Sequence, residues 1–267
     1  KAVYPPPDQV LSALGIEVAW RGGDTMIARS LVDVGLLGRD GAPAGMGALA
    51  PLVDLVAGAR VTRVSEGDWL ATSDMWMHER APIGDGPLRF ETRLLRVGKR
   101  SAVAAVEVFD GDRAAASCTV EFSRIRRDAS PHVTSFGGDD EAWLRVGSGE
   151  LLNRPIEEAC DLRPVDASLG IVEVHRSPFV ANSIGTLQGG VVVMVADAAA
   201  AVAPDGNLMF GWRGHDIDLS KPWLRRGMLE LIGEQAGEEI ALPLDKNQLA
   251  ALCRKHGIEL EPGMSAG

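Results

Sequence analysis

Apolar and polar residues follow two different periods along this chain. From Leu88 to Leu94 the alternation is strict: Leu88, Phe90 and Leu94 fall on one face, and Arg89, Glu91 and Arg93 on the other. That period of two predicts a half-buried strand. Trp69 to Met77, Ser101 to Phe109 and Ala114 to Ile125 read the same way, the last with Cys118, Val120 and Phe122 alternating against Thr119, Glu121 and Ser123. Asp110-Gly111 reads as a hairpin turn between the final two. Ahead of these strands, Ala48 to Arg60 is apolar nearly all round, which predicts a buried helix with Pro51 near its first turn. Pro7 to Leu14 reads as a short helix. Gly15-Ile16-Glu17-Val18 then opens one strand running through Met26 to Arg29. The predicted order is β-α-β-β-β-β, an α+β unit over 1–126 with the helix lying on an antiparallel sheet.

The pattern then recurs in part. A polar linker fills 127–154. Pro155 to Leu162 is again short and helical, Gly170-Ile171-Val172-Glu173-Val174 echoes the opening at Gly15, and Gly190 to Ala203 echoes the apolar helix. Asp54 and Asp197 differ by 143 positions and Gly15 and Gly170 by 155, so the copies differ in loop length. The second copy, 155–206, is expected to stop after one strand and its central helix. The tail, 207–267, shows no strand pattern. It predicts a helix from Ser220 to Gln235 and another from a capping box at Asp245 and Gln248 to Gly257. The chain begins at Lys1 and ends mid-pattern at Met264-Ser265-Ala266-Gly267, and reads as a fragment.

Composition narrows the function. A net charge of −10 and a pI near 5.0 leave no dominant basic face, so nucleic acid is not an expected partner. Cys118, Cys160 and Cys253 lie far apart, which points to a reducing, cytoplasmic setting. No apolar run is long enough to cross a bilayer, so no membrane partner is expected. No two of the five histidines share ligand spacing, and neither a metal nor a resident cofactor is expected.

Two features could carry chemistry. Asp54 and Asp197 are lone carboxylates in apolar helices, at matched places in the two copies. An isolated carboxylate there is costly unless paired or used. The plain alternative is a structural carboxylate held by a nearby donor. Gln188-Gly189-Gly190 opens the second helix. The first N–H groups of a helix are unpaired and carry the positive end of its dipole, which suits an oxyanion forming from a thioester carbonyl.

Asn182 to Gly190, followed by Asp197, resembles the motif of phenylacetate-type (PaaI-like) acyl-CoA thioesterases of the hotdog superfamily: an Asn, His-Gly-Gly six residues on, and an Asp nine residues after the His. The resemblance covers about 11–126 and 168–203. It implies a hotdog fold, an antiparallel sheet wrapped around a central helix, with two units packed together and sites between them. It implies an acyl-CoA substrate, an Asp as general base or nucleophile (Asp54 or Asp197), an Asn (Asn182) orienting water or substrate, and helix-entry groups (Gln188, Gly189, Gly190 and, in the first unit, Gly47) around the oxyanion. Homo-oligomers through the hotdog units are expected. Gln188 stands in place of His, Gly45-Met46-Gly47 in place of His-Gly-Gly, and Arg39 in place of Asn, so the two sites are not equivalent. The alternatives are a non-catalytic acyl-CoA-binding module or an inactive chimeric fragment. The tail, from Gly214-His215-Asp216 through Trp223 to Leu260, resembles a stretch of class II lysyl-tRNA synthetases lacking the active-site motifs. The expected junction is near Pro204–Phe210.

Overall fold

The computed structural model describes residues 3–21, 25–38, 44–65, 67–84, 86–126, 133–134, 142–202, 209–212, 215–218, 233–234, 237 and 246–257. The chain divides into two compact units, Lys1–Gly206 and Asn207–Gly267.

In chain order the first unit contains β1 (Val3–Tyr4), α1 (Val10–Ala13), β2 (Ile16–Trp20), β3 (Thr25–Ser30), α2 (Met46–Thr62), β4 (Trp69–Glu79), β5 (Leu88–Val97), β6 (Ser101–Asp110), β7 (Arg113–Ile125), β8 (Val133–Thr134), β9 (Leu144–Arg145), α3 (Ile156–Ala159), β10 (Leu162–Asp166), β11 (Ile171–Val174) and α4 (Gly189–Val202). Seven strands form one sheet in the order β4-β7-β6-β5-β3-β2-β9, and every pairing in it is antiparallel. The sheet wraps α2, as a hotdog fold requires. Inward residues such as Phe90, Val106, Val120 and Phe122 meet Leu49, Leu52, Val53 and Val56 in one core. Because α2 has sheet on one side and α4 on the other, its apolar residues are buried all round.

Several expectations are corrected. The single opening strand is a hairpin, β2 against β3, with Ile16 opposite Ser30 and Trp20 opposite Met26. The β6–β7 turn is Gly111-Asp112, one residue later than expected, because Asp110 still pairs with Arg113 and Gly111 takes the positive φ of +58°. Pro51 is the sixth residue of α2 and lies beyond the first turn.

The echo also has a different register. Residues 156–202 repeat the order short helix, hairpin, long helix, so two strands precede α4 where one was expected. After α1 the chain turns through Gly15 at φ +58°; after α3 it turns through Asp161 at φ +56°. Gly15 therefore matches Asp161, 146 positions on, and β10 matches β2. An Asp filling a left-handed position is unusual enough to hide the match. The second unit was expected to be helical throughout. It contains the hairpin of β12 (Met209–Trp212) and β13 (His215–Asp218), and α5 (Lys246–Lys255), which ends at Gly257 with φ +69°. Of the helix expected over 220–235 only residues 233–234 are described, and these are helical. No described helix is long and apolar enough to cross a membrane.

Candidate active site between two helices

The site forms where α4 begins against the middle of α2. Gln188 caps α4: its side-chain Oε1 accepts the Val191 N–H at 2.8 Å and its backbone carbonyl accepts the Val192 N–H at 3.1 Å. Its amide Nε2 donates a short hydrogen bond to Asp54 Oδ2. The same carboxylate oxygen accepts the Gly190 N–H at 3.3 Å, and Oδ1 accepts the Thr72 hydroxyl at 2.7 Å. Asp54 is thus the acceptor at the helix N-terminus, with three donors around it.

Burial still dominates its ionisation. Asp54 is 6% exposed, and desolvation pushes its pKa from 3.8 to about 6 against the opposing hydrogen bonds from Thr72, Gly190 and Gln188. A carboxyl with that pKa is ionised at neutral pH and basic enough to take a proton.

The two glycines permit this meeting. A β-carbon on Gly190 would lie 2.4 Å from the Ala50 carbonyl oxygen and 2.5 Å from Pro51 Cα, so the residue is needed for backbone-to-backbone crossing of α2 and α4. A β-carbon on Gly189 would lie 2.4 Å from Thr72 Cβ and Oγ1. Close approach at Gly190 is therefore made by the neighbouring helix, where a substrate was expected. Gly189 faces a cavity of about 80 Å³, several times the space one water needs. Its N–H, the first of the helix, meets no acceptor among the described residues.

The cavity is lined by polar residues, Asp54, Thr72, Gln188, Asn182, Ser183 and Tyr4, with Gly189, and by Leu55, Gly58, Ala59, Leu70 and Phe122. Asn182 is part of the wall, but its amide is committed to its own loop. Oδ1 accepts the N–H groups of Ile184 and Thr186, both at 3.0 Å, and Nδ2 donates to Thr186 Oγ1 at 2.6 Å and to the Leu187 carbonyl at 3.3 Å. Its geometry positions the loop that delivers Gln188, in place of the expected hold on water or substrate. Tyr4, Ser183 and Thr72 were missed by sequence reasoning. Thr72 carried a faint signal, a polar residue two positions from inward-facing Leu70, just ahead of a strand irregularity between Thr72 and Asp74. Burial, then the charge of Asp54, raises the Tyr4 phenol, with hydrogen bonds from Ser183 opposing, so Tyr4 stays protonated.

The remaining expected residues form a mirrored contact. Gly47 matches Gly190 and Asp54 matches Asp197, both 143 positions apart. A β-carbon on Gly47 would lie 2.5 Å from Asp197 Oδ2. Here the likeness stops. Asp197 was expected on a buried helix, yet it is exposed, along with Val192, Ala196 and Ala200. The reason is coverage: α2 lies under β4–β7, and residues 156–202 contain no equivalent strands. Gly45 occupies the place of Gln188, so no side chain there reaches Asp197.

Residues 46–117 match the family model of the thioesterase superfamily. Among solved structures, a conserved protein of Pseudomonas aeruginosa is similar at 25% identity, over 42% of this chain and 90% of that one, with a TM-score of 0.38. A hypothetical thioesterase of Streptococcus pneumoniae, solved with coenzyme A, is similar at 18% identity over 44% and 91%, TM-score 0.38. A thioesterase of Haemophilus influenzae follows at 18% identity over 43% and 81%, TM-score 0.39. Among curated proteins, a lysine–tRNA ligase of Syntrophomonas wolfei is 27% identical over 149 residues, covering 52% of this chain. The chain spans about 30% of that relative's length.

Proposed function

We propose that the chain hydrolyses an acyl- or aryl-CoA thioester at the Asp54 site. The observation that carries this reading is that Asp54, poised near pH 6, and Gly189, with its open N–H, line one cavity. Asp54 takes a proton from water as that water adds to the thioester carbonyl carbon. The carbonyl oxygen becomes an oxyanion at Gly189 N–H, at the positive end of α4. The oxyanion collapses, the C–S bond breaks, CoA leaves as thiolate, and the free acid remains. Direct attack by the Asp54 carboxylate on the carbonyl carbon breaks the C–S bond, expels CoA as thiolate and gives a mixed anhydride, which water opens to the free acid and Asp54.

The PaaI-like subtype and the reading of 155–206 as a truncated second hotdog unit are part of the same proposal, supported by the matched Gly–Asp contacts. The second contact is the degenerate one, because Gly45 stands in place of Gln188 and Asp197 is open to solvent. The tail's kinship to a lysyl-tRNA synthetase segment belongs to the same proposal, with the distant ligase match, 27% identical over 149 residues, as its support. The test of the main reading is CoA release, read with a thiol reagent, from a panel of acyl- and aryl-CoAs. Turnover that disappears in Asp54→Asn is expected. No turnover of any member, or wild-type turnover in Asp54→Asn, overturns it.

A further inference from the structure

We propose that Gly58 sets the size of the acyl group, an inference that rests on the hydrolase reading above. Every residue of α2 from Gly47 to Val61 is buried except Gly58. Glycine is among the poorest residues for a helix interior, so its presence in mid-helix calls for a reason. The two usual structural reasons are absent. Gly58 is not among the glycines of positive φ. A β-carbon on it would meet only the Phe122 ring, at 3.7 Å, which is ordinary contact. Gly47 and Gly190 are different, because there an added β-carbon overlaps its neighbours at 2.4–2.6 Å.

What Gly58 keeps open is the cavity wall. It stands four residues after Asp54, on the same face of α2 and about 6 Å farther along the axis. Leu55, Ala59, Leu70 and Phe122 surround the same space. One further turn on, Thr62 lines the cavity with Asp68, which Arg124 holds at 2.9 Å. An acyl group whose carbonyl sits at Asp54 therefore runs along this face of α2, past Gly58 and beside the Phe122 ring. The site takes acyl groups with bulk about one helical turn from the carbonyl, a medium straight chain or a single aromatic ring, and a side chain at position 58 takes that space away.

The test compares wild type with Gly58→Ala and Gly58→Val on acetyl-, butyryl-, hexanoyl- and phenylacetyl-CoA. The readout is kcat/KM for each relative to acetyl-CoA, a ratio that does not depend on how much of a variant is folded. The hexanoyl and phenylacetyl ratios are expected to fall, by roughly tenfold or more in the valine variant and less in the alanine variant. Ratios unchanged in both variants overturn the assignment. Binding of S-methyl-, S-hexyl- and S-phenethyl-CoA thioethers by calorimetry separates the two readings. If wild type hydrolyses nothing, the hydrolase reading fails, and the thioethers decide on Gly58. Selective weakening of the larger two in Gly58→Val supports it. Equal weakening of all three, or no binding at all, overturns it.

Discussion

Replacing Asp54 with asparagine removes the proton acceptor and is expected to stabilise the protein at the same time. In the folded state this carboxyl has a pKa of about 6, against 3.8 when solvated. Two units correspond to about 3 kcal/mol of penalty for holding the ionised form in the fold. The sign follows from linkage. A raised acid pKa means the folded state binds the proton more tightly, so stability is greatest below pH 3.8. It falls as pH rises towards 6 and then levels off. Asparagine does not titrate. It can turn its carbonyl towards Gln188 and Gly190 and donate its amide to the Thr72 hydroxyl, keeping all three contacts. Asp54→Asn should therefore match wild type near pH 4 and gain on it up to about pH 6. Above that the gap should stay near 3 kcal/mol, roughly 6–12 °C in Tm for a unit of this size. Calorimetric Tm of both proteins from pH 4 to 8 measures it, beside a CoA-release assay expected to fall by about a hundredfold or more. A Tm difference that does not change with pH, or a wild type that is the more stable at pH 8, refutes the argument that Asp54 is buried at a cost.

Other perturbations separate the neighbouring roles. Thr72→Val deletes the donor to Asp54 Oδ1; removing a contact that lowers the pKa should move the acid limb of the pH–rate profile upwards, read from kcat/KM against pH. Gly190→Ala forces α2 and α4 apart, because its β-carbon meets backbone, and should cost about 2–3 kcal/mol in denaturant unfolding. Asp197→Asn changes an exposed residue and should shift Tm and turnover little, within about 0.5 kcal/mol; loss of turnover there would show that the mirrored contact is a working site.

The elements that could be read from the sequence are those whose pattern is local. α2 was legible because it is apolar on every face, and β5 and β7 because their residues alternate strictly. The β2–β3 hairpin was missed although Arg21-Gly22-Gly23-Asp24 is a turn signal between two short apolar-rich stretches. For the proposed repeat, the long helices carry the matched spacing, and its start is displaced from Gly170 because Asp161 takes the left-handed turn after α3 that Gly15 takes after α1. At the site, Asp54 and the glycines were legible through their matched spacing. Thr72 and Tyr4 were not, since strand curvature and the path of the first residues bring them to the cavity, and neither leaves a period in the sequence. Asn182 was recognised by position, but only its hydrogen bonds show that the loop occupies it.

The Gly47–Asp197 and Gly190–Asp54 contacts have a consequence for how this arrangement can change over time. In a dimer of identical subunits every substitution is made twice, and a residue that improves one site alters the other equally. Here both helices belong to one polypeptide, so Gln188 can cap one contact while Gly45 leaves the other bare. On the proposal that 155–206 is a truncated second unit, such a chain does without one pocket's strands while the other pocket keeps what it needs from the shorter half, namely the first turn of a single helix.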